Sequence, residues 1–187
     1  MQPAMQEDRL YTYADYAGWD DDVRRELIDG KIYLMAPAPS EAHQDNSGEL
    51  FVQLKEFLRG NICKVLYAPF DVCLNAEGDN DKTVVQPDLI VVCDRSKLDG
   101  KRCNGAPDMV IEILSPSSSN RDMLLKFNKY MQAGVREYWV VDNELKIVRV
   151  SILNNGEFES IDYINPDTIP VHVLEGCEID MKRVFGE

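Results

Sequence analysis

The amino-acid sequence predicts an α/β domain in which helices flank a mixed β-sheet. Short apolar runs, such as 89–93 and 109–114, are typical of interior strands that are covered on both faces. Two longer stretches, at about 40–59 and 121–133, carry apolar residues at helical spacing. Because strands and helices are interspersed along all 187 residues, we expect one domain spanning 1–187.

The N-terminal part predicts a short helix, a hairpin and a long helix. The first helix lies around 8–17, with Thr12 as a cap. Two strand-like runs then flank Asp29-Gly30, a dipeptide typical of two-residue hairpin turns. Ser40 begins the first long helix, and Gly60 ends it.

The rest of the chain predicts strands that surround a second long helix. Further strands are expected at 63–67, 71–74, 83–86, 88–93 and 109–114. Gly134 ends the second helix, and 137–141 with 146–152 then form a hairpin that is followed by another short strand. From Asp162 onward the pattern is weak. Because predicted strands also lie near both ends of the chain, we expect additional N-terminal and C-terminal strands beside the central sheet.

Composition and charge restrict the function classes. The apolar runs are too short to span a membrane, and residues 1–8 lack the pattern of a secretory signal. A net charge of −13 disfavours broad attraction to nucleic acid or to anionic membranes. Any nucleic-acid site must therefore consist of a few placed residues, a metal ion or a partner.

The five cysteines predict buried thiols rather than a cross-linked framework. Their number is odd, and no two are two to four residues apart, which excludes a zinc cluster of the usual kind. Most of them lie in or beside apolar strand-like runs, where a thiol acts as a small hydrophobe. We expect a cytoplasmic protein on this basis.

Glu112 is the most informative residue, because it interrupts the apolar strand 109–114. Alternate side chains of a strand face opposite ways, so Glu112 would share one apolar face with Val110 and Leu114. A buried carboxylate needs a compensating metal ion, lysine or arginine. The alternatives are a structural ion pair or a strand end that is open to water.

Two further charged residues can be assembled around Glu112. Asp88 begins the neighbouring apolar strand, and adjacent strands would bring the two carboxylates within reach of one cation. Oxygen ligands of this kind suit Mg²⁺ or Mn²⁺. Lys126 would add a positive charge that orients or deprotonates water, or that stabilises phosphate charge. Its alternative partner is Asp122, four residues earlier on the same helix face.

These residues lie in a recognisable series of motifs. The sequence resembles the Uma-type bacterial family of the PD-(D/E)XK nuclease superfamily, long classed as a domain of unknown function. The resemblance covers about residues 10–152. It is carried by Glu26-Leu27-Ile28-Asp29-Gly30, His43-Gln44, Gln86-Pro87-Asp88, the run from Pro107 to Pro116, then Asp122, Lys126, Tyr130, and the run Gly134-Val135-Arg136-Glu137-Tyr138-Trp139.

The resemblance implies a restriction-endonuclease-like core and a site for DNA hydrolysis. It assigns Asp88, Glu112 and the backbone carbonyl of Ile113 as ligands of Mg²⁺ or Mn²⁺. It also implies catalytic roles for Asp88, Glu112 and Lys126, with Glu26 as an accessory acid. DNA would be the partner, the chain would form a homodimer, and no membrane is involved.

One position departs from the superfamily pattern. A lysine is expected two residues after the acidic strand residue, but position 114 is Leu. The resemblance implies that Lys126 supplies this charge from the following helix.

Two other polar residues have competing interpretations. Asp108 also follows a proline, but it lies about 13 Å from Glu112 along the strand, too far to share an ion. We therefore expect a role at the strand entry. His43 is a candidate general base or phosphate contact, and equally a capping or packing residue.

The leading hypothesis from the sequence is a metal-dependent endonuclease. The alternative is a catalytically inactive nuclease-like fold that acts as a binding or assembly module. The acidic charge and Leu114 favour the alternative, in which Glu112 would pair with Lys126 directly.

Overall fold

The structure, a computed structural model, describes residues 9–35, 39–115 and 120–186. Its helices are α1 (Tyr13–Ala17), α2 (Glu41–Phe57), α3 (Asn120–Ala133) and α4 (Met181–Val184). Its strands are β1 (Arg25–Ile28), β2 (Lys31–Leu34), β3 (Lys64–Tyr67), β4 (Asp71–Cys73), β5 (Val84–Val85), β6 (Leu89–Val92), β7 (Arg102–Asn104), β8 (Met109–Ile113), β9 (Glu137–Asp142), β10 (Ile147–Asn154), β11 (Glu157–Ile164), β12 (Thr168–Pro170) and β13 (Glu178–Asp180).

Within the described residues, the strands form two larger sheets and the small hairpin β12–β13. The six-stranded sheet has the order β11-β10-β9-β8-β6-β3, and β8 and β9 are its parallel pair. The five-stranded sheet has the order β2-β1-β5-β4-β7, with β4 and β7 parallel. The mixed sheet with flanking helices that the sequence predicts is therefore confirmed.

Strand β8 lies in the interior, between two apolar layers. Met109, Ile111 and Ile113 pack in one cluster with Leu50 and Leu54 of α2. On the opposite face, Val110 packs in a second cluster with Tyr130 of α3 and Tyr138 of β9. The alternation places Glu112 on this second face, toward α3, as the sequence predicts.

The local signals for the first hairpin and for α2 are also confirmed. Asp29 and Gly30 have φ of 53° and 75°, the left-handed pair that a type I′ turn between two strands requires. Ser40 caps α2 by accepting a hydrogen bond from the backbone N–H of His43 at 3.3 Å. In the described part of the chain, the helices are too short or too polar to cross a membrane.

The C-terminal segment folds through tertiary contacts that its sequence does not show. Gln53 of α2 donates to the backbone carbonyl of Asp180 at 3.0 Å and accepts from the Asp180 N–H at 2.8 Å. Asp180 also caps α4. This pair of hydrogen bonds attaches β13 and α4 to a helix far away along the chain, where the sequence gives only a weak local pattern.

The cysteine expectation is wrong for one pair. Cys63 and Cys93 form a disulfide, whereas Cys73, Cys103 and Cys177 are buried thiols. The physical reason is the register of β3 and β6: Lys64 pairs with Val92, so the next residue outward on each strand faces its partner. That register could not be derived from the spacing of the cysteines.

Candidate functional site

The Glu112 carboxylate has two donors from α3. Its Oε1 atom lies 3.0 Å from Nζ of Lys126 and accepts a hydrogen bond from the Tyr130 hydroxyl at 2.7 Å. Lys126 and Tyr130 are four residues apart on α3, so they share one face of the helix. The Glu112 side chain is only 16% exposed. Its charge is compensated by Lys126 and Tyr130 of α3.

Lys126 also joins the two sheets. Its Nζ atom lies 2.8 Å from Oε1 of Glu26, a buried residue of β1 in the five-stranded sheet. The same Glu26 oxygen accepts the backbone N–H of Gln86 at 2.9 Å. One ammonium group thus contacts a carboxylate from each sheet.

Asp88 directly precedes β6 and is held there by backbone and side-chain contacts. Its Oδ2 atom accepts the backbone N–H of Ile113 at 2.7 Å and lies 3.3 Å from Nε2 of His43. Leu89 pairs with Ile111 in antiparallel register, so extending the ladder by one residue brings Asp88 opposite Glu112. The two carboxylates that the sequence singles out therefore belong to facing positions on neighbouring strands.

Burial and charge shift the proton affinities of this cluster. Burial raises the pKa of Glu112, Lys126 opposes that rise, and the nearby Asp88 and Glu26 charges add to it. Burial would lower the pKa of Lys126, but Glu112 and Glu26 outweigh it and raise that pKa. Lys126 therefore stays protonated at neutral pH, which favours a role as a fixed positive charge over one as a proton acceptor.

Tyr130 and His43 also have raised pKa values. Burial is the main cause for Tyr130, and the Glu112 charge adds to it, so the hydroxyl stays a hydrogen-bond donor. For His43 the main cause is the hydrogen bond with Asp88, and the Ile113 backbone acts in the same direction.

The predicted site residues lie around one cleft of about 520 Å³. Glu26, His43, Asp88, Glu112 and Lys126 all line it, and Ile113 and Leu114 form part of its wall. Within the described ranges, no three His, Cys, Asp or Glu side chains converge as a ready metal site. Two side-chain clusters, around Asp88 and around Lys126, meet at the cleft instead.

One acidic residue that is close to the site in sequence lies apart from the cleft. Asp108 accepts the backbone N–H of Cys93 at 2.7 Å and pairs with Arg136 at 3.1 Å, so it holds the entry of β8, away from the cleft. Asp122, the other partner considered for Lys126, lies outside the residues whose side chains are described.

The sequence reasoning missed the polar role of Tyr130. The helical spacing of the sequence places Tyr130 on the apolar face of α3, yet its hydroxyl donates a hydrogen bond to Glu112. Its position four residues after Lys126 was the available signal, because that spacing places both side chains on one helix face. The contact between Glu26 and Lys126 had no such signal, since it joins β1 to α3, which are far apart along the chain.

Comparison with protein families identifies the chain. The model of the Uma2 family, described as "Putative restriction endonuclease", matches residues 12–182. The chain belongs to the Uma2 family. The resemblance derived from the motifs is thereby confirmed, and the Uma2 match extends beyond the 10–152 region in which the sequence motifs were found.

A solved structure supports the Uma2 fold. The chain is similar to a putative nuclease of DUF820 from Anabaena variabilis, with a TM-score of 0.74 and 21% sequence identity. The similarity covers 94% of this chain and 97% of the other one. At this identity the likeness establishes the nuclease-like fold only. No curated protein matches the chain.

Proposed function

We propose that this Uma2 chain is a metal-dependent endonuclease that hydrolyses DNA phosphodiester bonds. One observation carries the proposal: Asp88 and Glu112 line the same cleft, one residue beyond the last pair of the β6–β8 ladder, and Lys126 lies 3.0 Å from Glu112 there. Partly buried carboxylates beside a fixed positive charge suit the binding of a cation and of a substrate that gains negative charge during the reaction.

The donor set fits a hard divalent cation. Asp88, Glu112 and the backbone carbonyl of Ile113 would hold Mg²⁺ or Mn²⁺, because both ions favour oxygen ligands. After the dominant contribution of burial, the charge of Asp88 also raises the pKa of Glu112, a repulsion that a cation between them would relieve. A bound divalent ion supplies Lewis-acid catalysis and a water of lowered pKa.

The chain's own residues then have separate tasks. Lys126 holds a positive charge at the cleft and stabilises the charge that develops on the phosphate. Glu26 fixes the position of Lys126 from the other sheet, and Tyr130 orients the Glu112 carboxylate. In this proposal position 114 does not need a lysine, because Lys126 of α3 supplies the positive charge.

A plasmid-nicking experiment tests the proposal. The purified chain should nick supercoiled DNA with Mg²⁺ or Mn²⁺, and Glu112→Gln should abolish nicking while the fold is retained. Asp108→Asn is the matched control: it alters an acidic residue of the same segment that lies away from the cleft, so nicking should persist. A folded wild-type protein that is inert on supercoiled, linear and single-stranded DNA would refute it.

A second candidate function is a catalytically inactive nuclease-like fold that serves as a binding or assembly module. Leu114, the net charge of −13 and the direct contact between Lys126 and Glu112 favour it. The two candidates differ in metal binding. A rise in melting temperature with Mg²⁺ or Mn²⁺ that Asp88→Asn removes would argue against the inactive module.

We also propose a homodimer, since symmetric dimers are the commonest assemblies, and light scattering after gel filtration would test it.

The cytoplasmic location stays a prediction. The Cys63–Cys93 disulfide counts against it, because disulfides are rare in reducing compartments.

A further inference from the structure

Tyr67 is an exposed aromatic residue on the wall of the cleft. It ends β3, the edge strand of the six-stranded sheet, and its relative exposure is 58%. Asp88, Glu112 and Lys126 line the same cleft. Tyrosine is enriched where proteins contact ligands, because its ring presents a large apolar face at a low cost in conformational entropy. The position of Tyr67 therefore indicates a ligand with a flat apolar surface.

The Tyr67 ring is held in place by its neighbours. Its backbone pairs with Leu89 of β6, and its ring contacts Phe51 of α2 in a T-shaped arrangement, with centroids 4.7 Å apart and planes at 72°. Phe51 in turn packs against the apolar core. A T-shaped contact covers at most one face of the Tyr67 ring, so a planar group can stack on the other face. Because the ring is already oriented, such stacking loses little conformational entropy.

The cleft offers little positive charge to a polyanion. Of the described residues that line it, only Arg24 and Lys126 are arginine or lysine. Lys126 is engaged by Glu26 and Glu112. Arg24 is exposed and donates to the neutral side-chain amide of Gln86 at 3.4 Å, so its charge is available to a phosphate. Duplex DNA is bound through many phosphate contacts, and one available arginine in this cleft does not provide them.

Single-stranded nucleic acid is bound in a different way, because its bases stack on aromatic side chains while a few charges contact its backbone. We propose that the cleft takes an unpaired segment of a DNA strand, with one base stacked on Tyr67 and a phosphate of the same strand on Arg24. The inference rests on the proposed function for DNA as the substrate, and it narrows that substrate to single-stranded or locally unpaired DNA. A base within a continuous duplex presents no free face to Tyr67, since its neighbours cover both faces.

Fluorescence anisotropy with the full chain tests this inference. The same labelled strand of about 16 nucleotides is used alone, in a complete duplex, and in a duplex whose centre is mismatched and therefore unpaired. The buffer contains Ca²⁺, a divalent ion that binds oxygen ligands, and a denaturing gel verifies that the strand stays intact. Tyr67→Ala removes the ring, whereas Tyr67→Phe keeps it. Arg24→Gln tests the phosphate contact independently of the ring.

Matched control variants lie outside the cleft. Phe57→Ala removes another exposed aromatic ring, at the end of α2, and Arg59→Gln removes another exposed positive charge. Circular dichroism verifies that each variant is folded.

The wild type should bind the single strand and the mismatched duplex at least about tenfold more tightly than the complete duplex. Tyr67→Ala should weaken single-strand binding by at least about fivefold, the loss expected for one base stacked on an aromatic ring, and Tyr67→Phe should bind like the wild type. Arg24→Gln should reduce the slope of log affinity against log salt concentration by about 0.7, the value for one phosphate contact on a single strand. The two control variants should change neither quantity.

The outcomes separate this inference from the proposed function. If the complete duplex binds as tightly as the single strand, or if Tyr67→Ala binds like Phe57→Ala, the inference fails, while plasmid nicking can still stand. If the single strand binds through Tyr67 but no DNA is hydrolysed with Mg²⁺ or Mn²⁺, the inference stands and the proposed hydrolysis fails. Failure to bind any of the three probes overturns the inference, and the nicking experiment then decides on hydrolysis separately.

Discussion

Lys126→Met tests whether the buried ammonium group stabilises the fold as well as the site. Methionine keeps most of the stem volume but removes two contacts, at 2.8 Å to Glu26 and 3.0 Å to Glu112. Each hydrogen bond to a charged group contributes about 1.5–3 kcal/mol, and removing one partner of a buried pair typically costs about 3–5 kcal/mol. We expect the free energy of unfolding to fall by about 3–5 kcal/mol, because two carboxylates lose the positive charge that compensates them.

Urea unfolding in metal-free buffer measures this loss, with tryptophan fluorescence as the signal. Lys129→Met is the matched control on the same helix: Lys129 pairs at 2.8 Å with Asp29, whose side chain is 63% exposed, and such surface pairs contribute at most about 1 kcal/mol. Combining Lys126→Met with Glu112→Gln should cost less than the sum of the single changes, by about 1–3 kcal/mol. Equal losses in Lys126→Met and Lys129→Met would refute the reasoning.

Three further changes test other contacts by the same unfolding measurement. Tyr130→Phe removes the hydrogen-bond donor to Glu112 and should lower the free energy of unfolding by about 1–2 kcal/mol. Tyr67 is exposed, so Tyr67→Phe should change it by no more than about 0.5 kcal/mol. Equal effects of the two changes would contradict a stabilising contact between Tyr130 and Glu112. Gly30→Ala should be more destabilising than Gly156→Ala. Both glycines have positive φ, but only at Gly30 would the added Cβ crowd another atom, the Leu10 Cβ at 2.9 Å. Equal losses of stability in the two variants would exclude steric crowding as the cause. Burial raises the pKa of Glu137, so the folded state binds its proton more tightly than the unfolded chain. Its contribution is present at low pH and is lost as the pH rises. The stability advantage of wild type over Glu137→Gln should therefore shrink as the pH rises above about 4, near the unfolded pKa. An advantage that grows with pH would show the opposite shift.

The elements with strong local patterns could be predicted from the sequence. The alternation around Glu112 gives the correct face, because β8 is covered on both sides and its period of two is preserved. Asp29-Gly30 and Ser40 also specify their turn and cap, since the conformations of those residues depend on their own side chains and immediate neighbours.

Contacts between distant segments could not be predicted in the same way. The Cys63–Cys93 disulfide depends on the register of β3 and β6, and Glu26 reaches Lys126 only because β1 and α3 pack together. The segment that ends in α4 depends on the hydrogen bonds between Gln53 and Asp180. Tertiary packing decides these features, whereas local propensity decides the turn and the cap.

Because Lys126 lies on a helix, the site is sensitive to insertions in that helix. A lysine on β8 would keep its direction only through strict alternation of the strand, whereas the direction of Lys126 depends on the rotational phase of α3. Each residue added to a helix turns everything beyond it by about 100°. Because the buried Tyr130 anchors α3, insertion of a single alanine between Lys126 and Tyr130 would therefore point the ammonium group away from both carboxylates, while β8 and its apolar faces would keep their register.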